Sequence, residues 1–190
     1  MSWSMDPHHT AVTFSAKHLG VATVRGHFTE IATSLDLDDP DDPTTGRGSV
    51  TIQSASITTG SEMRDGHLKG ADFLDVEKYP TITFTLKSIA KAGDDYKVTG
   101  DLTIKDVTKE ITLDYEHSGT ATDPYGNTKV GGTLTGSINR SDWGLVWNVP
   151  LGGGGVLVGE KVKLEIDGEL SLDKPAEAAS APAETATANA

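Results

Sequence analysis

Six histidines are the side chains of this sequence best suited to metal binding or to proton transfer near neutral pH. They are His8, His9, His18, His27, His67 and His117. No two of them have the i, i+2 spacing of one strand face or the i, i+4 spacing of one helix face, so no local pair of imidazole ligands is predicted. Cysteine is absent, which excludes disulfides, thiolate catalysis and cysteine-bound zinc. We therefore predict neither a metal site nor a cofactor.

Two further motifs resemble sites for phosphate binding or hydrolysis, but each lacks a required part. Segment 152–161 is rich in glycine, yet Glu160 stands where a phosphate loop has its lysine, and a strand pattern follows instead of a helix. The Gly-x-Ser-x-Gly motif does not occur, and Asp65, Asp72 and Asp142 form no recognisable acid–base pair. The sequence therefore favours a protein that is not an enzyme.

Two short segments combine charged, polar and aromatic side chains. Segment 61–70 has the features of a short helix, with Ser61 as its cap and Gly70 at its end, while segment 139–144 is a turn followed by Trp147. Their polar residues are Arg64, Asp65, His67, Asn139, Arg140 and Asp142. Such residues can form a capping network, or a polar rim that receives the head of an amphiphile. The sequence leaves both interpretations open.

The elements that must position these residues are strands, because apolar and polar residues alternate over most of the chain. In the first such segment Val12 and Phe14 share one face, while Thr13 and Ser15 share the other. There are about eight segments of this kind, and their length favours a closed barrel over a sandwich. We predict an all-β fold, an eight-stranded antiparallel β-barrel with one or two short helices capping one end. Because its inward residues are mostly Val, Ile, Leu, Ala and Thr, we also expect an apolar cavity.

Composition divides the chain and limits its partners. Residues 1–173 form the predicted domain, whereas 174–190 lack aromatic and branched aliphatic residues and are predicted to be a disordered tail. The net charge of −12 argues against nucleic acids and anionic membrane surfaces as partners. No segment approaches the ~20 apolar residues of a membrane span, and no leader pattern is visible. We therefore predict a cytoplasmic protein without stable membrane anchoring.

Short motifs in a characteristic order extend from Trp3 to about Leu172. They are Asp6-Pro7-x-His9-Thr10-x-Val12-x-Phe14-Ser15-x-Lys17-His18, Val24-Arg25-Gly26-x-Phe28, Arg64-Asp65-x-His67-Leu68, Asp72-Phe73, Tyr79-Pro80-x-Ile82-x-Phe84, Gly100-Asp101-Leu102-Thr103-Ile104 and Asn139-Arg140-Ser141-Asp142-Trp143-Gly144. Together they resemble the YceI-like, polyisoprenoid-binding family. The resemblance implies a lipocalin-like barrel with a lipid-binding tunnel, often as a homodimer, with His9 near a polar rim. Trp143 stands where the family usually has Phe, and we expect its bulk to affect the width of the tunnel.

These observations predict a non-enzymatic carrier or sequestering protein for a long apolar molecule, either a polyisoprenoid or an isoprenoid quinone. The residues expected to line the tunnel are Val12, Phe14, Phe28, Phe73, Phe84, Leu102, Trp143 and Trp147. One alternative is a structural or stress-related interaction module whose barrel is packed solid. A less favoured alternative is a small-molecule enzyme with its site under the helix at 64–73.

Overall fold

The computed structural model describes residues 1–173, which form eleven β-strands and one α-helix. The strands are β1 (Ser2–Met5), β2 (Ala11–His18), β3 (Ala22–Phe28), β4 (Ile31–Asp36), β5 (Arg47–Gln53), β6 (Ile57–Thr58), β7 (Thr81–Ala92), β8 (Asp95–Ile104), β9 (Val107–Thr122), β10 (Thr128–Asn139) and β11 (Val158–Leu172), and the helix is α1 (Glu62–Lys69). The tail predicted at 174–190 lies outside the described residues. Within the described part of the chain, no helix has the length and apolar character needed to cross a membrane.

Eight strands form a closed antiparallel ring in the order β1-β4-β5-β7-β8-β9-β10-β11. The ring closes because β11 also pairs with β1, where Trp3 lies opposite Leu172. The remaining strands continue this wall: β2 pairs with β11, β3 with β2, and β6 with β3. The predicted eight-stranded barrel is therefore confirmed, with α1 as its single helix among the described residues.

Apolar and polar residues alternate over segment 23–38, but the strand is broken at 29–30, between β3 and β4. At Gly26 itself the pairing with β2 continues, opposite Phe14. Glycine is needed there for space, because a Cβ would lie 2.4 Å from Cζ of Phe14. The glycine therefore accommodates a ring from the neighbouring strand rather than a change of direction.

Other aromatic rings on the inner face lie over glycines in the same way. A Cβ added at Gly100 would lie 2.4 Å from Cζ of Phe84, and one added at Gly132 would lie 2.4 Å from Cε2 of Tyr115. Each ring thus packs against the wall of the barrel instead of extending across its centre. The centre remains hollow, which is why inward-facing residues such as Phe84 are only half-buried.

Two apolar clusters close the two ends of the barrel. At the first, called the helix end, α1, the segment after it and the 3-10 turn Arg140–Trp143 cover the interior. The buried residues of its cluster are Ile57, Phe73, Leu74, Ile82, Leu102, Ile104, Ile138, Trp143 and Leu145. At the second, called the N-terminal end, the buried cluster consists of Trp3, Leu37 and Val130. One or two short helices were predicted to cap one end of the barrel, and among residues 1–173 this cap consists of the single α-helix α1 at the helix end.

Candidate functional site

The barrel contains a cavity of about 420 Å³ between the two end clusters. Its wall is formed almost entirely by aliphatic and aromatic side chains from all parts of the sheet. Six of the predicted tunnel residues border this cavity, namely Val12, Phe14, Phe28, Phe73, Phe84 and Leu102. The volume falls in the range of about 300–1,000 Å³ that is common for small-molecule pockets. Contact of these six side chains with a ligand remains a prediction.

The two other predicted tunnel residues, Trp143 and Trp147, do not border the cavity. Trp143 is only 2% exposed, packs in the helix-end cluster and donates its indole N–H to the carbonyl oxygen of Leu102 at 3.1 Å. Trp147 is half-buried and packs against Phe73 and the edge of His67, with ring centroids 5.4 and 4.6 Å away. Both tryptophans lie outside the alternating strands, so strand periodicity carries no information about their direction. The bulk of Trp143 thus reinforces the end of the barrel and does not narrow the cavity.

The polar residues predicted on α1 bind protein groups next to the helix. Asp65 accepts hydrogen bonds from the backbone N–H of Thr59 at 2.8 Å and from the Thr58 hydroxyl at 3.1 Å. Burial alone would raise the pKa of Asp65, but these hydrogen bonds outweigh it and lower the pKa. Arg64 donates from Nε to the Thr59 hydroxyl at 2.7 Å. These contacts fix α1 to the end of β6, as the capping interpretation predicts.

Within the same segment, His67 forms a separate contact, because its Nε2 lies 3.0 Å from Oδ2 of Asp72. None of Arg64, Asp65 and His67 borders the cavity. Their position is therefore above the helix-end cluster, on the side away from the hollow centre. A role in binding the head of an amphiphile remains a prediction for all three.

The second polar segment contributes one side chain to the cavity wall. Arg140 is buried, and it donates from Nε to the carbonyl of Gly159 at 3.1 Å and from Nη2 to that of Val158 at 3.3 Å. Nη1 donates to the carbonyl of Leu145. Burial lowers the pKa of Arg140, although a guanidinium stays charged in proteins. Three of its five N–H donors therefore stabilise the loop between β10 and β11.

Asn139 and Asp142 of this segment are exposed and do not border the cavity. Asp142 lies 3.9 Å from Nζ of Lys109, on the outside of the barrel. Across residues 1–173, no hydrogen bond or ion pair joins any two of Asp65, His67, Arg140 and Asp142. The single cleft that the enzyme alternative requires is therefore not assembled from these residues.

His9 lies near the N-terminal end, away from the other polar candidates. Its Nδ1 is 3.2 Å from Oδ2 of Asp6 and 3.7 Å from Oε1 of Glu169. Lys129 places Nζ 3.0 Å from Asp6 and 2.9 Å from Glu169, and its hydrogen bond holds the pKa of Asp6 well below the usual range. Asp6, His9 and Glu169 thus group three metal-type ligand atoms within 4.8 Å, but the Lys129 ammonium already binds both carboxylates. The predicted single polar rim is instead divided between two ends.

Sequence reasoning missed several polar residues that border the cavity, among them Tyr115 and His117. Both point inward from β9, and the Tyr115 hydroxyl lies 3.1 Å from Nδ1 of His117. Burial raises the pKa of Tyr115 to about 12, helped by the neighbouring Tyr96, so its hydroxyl is protonated at neutral pH. Nε2 of His117 is buried without a hydrogen-bond partner in the described structure, a condition that typically costs about 1–3 kcal/mol. The sequence signal for this pair was their spacing of two residues in an alternating strand, which places both side chains on the same face.

Comparison with known proteins supports the same architecture. Residues 3–170 match the YceI-like domain family. The chain belongs to the YceI-like family. A curated relative, UPF0312 protein SAS2572 of Staphylococcus aureus (strain MSSA476), is 37% identical over 174 residues, covering 91% of this chain and 99% of the relative. The YceI protein of Campylobacter jejuni has a solved structure that is 34% identical, with a TM-score of 0.72 over 83% of this chain and 90% of that one.

A more distant structure shares the YceI-like fold. It is described as a polyisoprenoid binding domain from Saccharophagus degradans implicated in plant cell wall breakdown. It is 14% identical and aligns with a TM-score of 0.64 over 90% of this chain and 98% of that chain. At this level of identity the likeness concerns the fold of the barrel.

Proposed function

We propose that this YceI-like barrel binds a long apolar ligand, a polyisoprenoid or an isoprenoid quinone, inside its cavity and serves as a carrier or sequestering protein. The observation that carries the proposal is a hollow, apolar interior between two clusters of buried apolar side chains. Transfer of an apolar chain from water into such a cavity contributes about 25 cal/mol per Å² buried, less the cost of association. The description of the Saccharophagus degradans domain as polyisoprenoid binding is consistent with this ligand class.

The two alternatives have less support. A solidly packed interaction module would bury its inward residues, whereas Phe14, Phe28 and Phe84 are half-buried around the cavity. An enzyme would need converging reactive groups, and Asp65 and Arg140 are each committed to separate structural contacts. The homodimer and the cytoplasmic location remain predictions from the sequence, and analytical ultracentrifugation checks the first of them.

The proposal is tested by extracting the protein, purified from its natural source, with organic solvent and analysing the extract by mass spectrometry. We expect an isoprenoid in near-stoichiometric amount. The delipidated protein should then take up added geranylgeraniol, a C20 isoprenoid alcohol. An empty extract together with no uptake would contradict the proposal.

A pair of matched variants on β11 shows whether uptake uses the cavity. Gly168 borders the cavity, and a Cβ added there meets no atom within 4 Å, so Gly168→Phe places a ring in the hollow interior. Glu165 is exposed on the outer face of the same strand, so Glu165→Phe adds the same ring outside. We expect G168F to weaken uptake about tenfold or more by occupying the site. E165F should bind as the wild type does, and equal binding by both variants would place the ligand elsewhere.

A further inference from the structure

The wall of the cavity differs in polarity between its two ends. At the helix end Arg140 borders the cavity, but its guanidinium donates to three backbone carbonyls. Toward the N-terminal end the wall includes Tyr115 and His117. His117 lies opposite Gly132, two residues along β10 from Val130 of the N-terminal cluster. An amphiphile in the cavity therefore meets polar atoms near one end and apolar ones near the other.

Tyr115 and His117 are held in a defined arrangement by the neighbouring strand. The Tyr115 ring lies over Gly132, where a Cβ would stand 2.4 Å from Cε2 and 2.7 Å from the hydroxyl oxygen. This close approach sets the hydroxyl 3.1 Å from Nδ1 of His117. A neutral imidazole has one donor and one acceptor nitrogen. If the Tyr115 hydroxyl donates to Nδ1, only the hydrogen on Nε2 is left without a partner. If Nδ1 instead donates to the hydroxyl oxygen, both the hydroxyl hydrogen and the lone pair of Nε2 are left without partners.

We propose that the cavity takes an isoprenoid with a neutral hydroxyl head, whose oxygen lies beside Tyr115 and His117 and whose tail points to the helix end. This inference rests on the proposed function and adds the ligand's head group and its direction. A ligand hydroxyl donates its hydrogen to the free lone pair of the Tyr115 oxygen. This contact leaves the hydrogen bond between the Tyr115 hydroxyl and Nδ1 of His117 in place. The ligand hydroxyl is thereby bound to the Tyr115–His117 pair by one hydrogen bond.

The surroundings near this end favour a neutral head over an anionic one. Arg47 borders the cavity, but both of its terminal nitrogens bond Asp38, at 2.8 and 3.0 Å. Asp36 and Arg47 are paired next to the inward-facing pair of Leu35 and Gly48, so their side chains face the outer side of the sheet. A carboxylate or phosphate head inside the barrel would lose its hydration among apolar side chains and beside the uncharged Tyr115 hydroxyl, which is costly. An isoprenoid acid should therefore bind more weakly than the alcohol of equal length.

The test compares three C20 probes on delipidated protein: geranylgeraniol, the hydrocarbon in which hydrogen replaces its hydroxyl, and geranylgeranoic acid. Affinities are measured by displacement of the fluorescent apolar dye N-phenyl-1-naphthylamine. We expect the alcohol to bind about fivefold more tightly than the hydrocarbon, since one hydrogen bond contributes on this scale. Tyr115→Phe should abolish that preference, so that this variant binds the alcohol no more tightly than the hydrocarbon. Tyr96→Phe is the matched control, because Tyr96 packs 6.1 Å from Tyr115 but does not border the cavity.

The outcomes separate this inference from the function on which it rests. If no probe displaces the dye or binds in direct titration, the proposed function fails and this inference fails with it. If alcohol and hydrocarbon bind equally to the wild type, apolar binding stands and the hydroxyl site is wrong. A preference for the alcohol that persists in both Y115F and His117→Leu would place the head elsewhere and overturn the inference. Urea unfolding of Y115F confirms that the variant is folded in each case.

Discussion

At each end of the barrel a tryptophan that is 2% exposed donates its indole N–H to a backbone carbonyl at 3.1 Å. At the helix end Trp143 bonds the carbonyl of Leu102 within a cluster of nine buried residues. At the N-terminal end Trp3 bonds the carbonyl of Leu37, and its cluster has only three buried residues. Because apolar burial is the main source of stability, we expect the Trp143 cluster to stabilise its end of the barrel more than the Trp3 cluster stabilises the other.

The N-terminal end relies on charged groups where the helix end relies on apolar packing. Lys129 links Asp6 and Glu169 there, and Arg47 binds Asp38. The exposed Arg47–Asp38 pair contributes little, about 0–1 kcal/mol, whereas the Lys129 and Asp6 side chains are largely buried. We infer that the fold depends mainly on the helix end, while the N-terminal end combines a small cluster with the polar part of the cavity wall.

The largest expected effect is that of Trp143→Ala. Removal of this side chain leaves a cavity in the larger cluster and should lower the free energy of unfolding by about 4–5 kcal/mol. Urea denaturation measures the loss. Trp143→Phe retains most of the packing and should cost much less. A loss below about 2 kcal/mol for the alanine variant would break the comparison, because the helix end would not then be the main source of stability.

Trp3→Ala should have a smaller effect. We expect a loss of about 3 kcal/mol, at the low end of the range for buried tryptophan, because the short strand β1 can detach while the rest of the barrel persists. Hydrogen exchange should show faster exchange in β1 and β4 and little change in β8 and β9. Equal losses for Trp3→Ala and Trp143→Ala, with uniform acceleration of exchange, would contradict the proposed difference between the ends.

A third prediction concerns two glycines that face each other across β10 and β11. At Gly132 an added Cβ lies 2.4 Å from the Tyr115 ring and 2.6 Å from the backbone oxygen of Glu116, whereas at Gly168 it meets nothing within 4 Å. Gly132→Ala should therefore destabilise the fold by about 1–3 kcal/mol. Gly168→Ala is the matched control and should be neutral or stabilising by up to about 1 kcal/mol. Similar unfolding midpoints for the two variants would show that Tyr115 is not held against Gly132.

The smallest effect is expected from the pH dependence of the N-terminal end. The Lys129 hydrogen bond lowers the pKa of Asp6 from its usual 3.8, so the folded protein holds this proton less tightly than the unfolded chain. The stability that this difference contributes is present above about pH 3.8, the ordinary pKa of the group, and is lost as the pH falls from there toward the lower pKa of the folded state. Asp6→Asn lacks this contribution, so its stability should decline less than that of the wild type between about pH 6 and pH 3. Asp94→Asn, in the exposed turn after β7, is the control, and identical pH profiles for D6N and wild type would refute the prediction.

The sequence predicted most of the barrel because strand alternation is a local signal. Val12, Phe14, Phe84 and Leu102 lie in alternating strands, and all four border the cavity as expected. Trp147 lies in a loop without such a period, so its direction could not be predicted from the sequence, and it does not border the cavity.

The polar contacts were harder to predict because they join distant parts of the chain. His9 lies near Glu169, which is 160 positions away, and no local pattern links the two residues. The alternation of β9 places Tyr115 and His117 on its inward face, so the sequence pattern alone could have identified them as polar residues of the interior. Their hydrogen bond, however, depends on Gly132 in the neighbouring strand, which only the register of the sheet supplies.

The central claim is that a long apolar molecule occupies the hollow interior between the Trp3 and Trp143 clusters. A crystal structure of the protein purified from its natural source tests this claim most directly. We expect continuous elongated electron density along the cavity, in contact with Phe14, Phe84 and Leu102. A barrel whose interior is filled by its own side chains, or whose cavity contains only ordered water in a protein that also fails to take up geranylgeraniol, would contradict it.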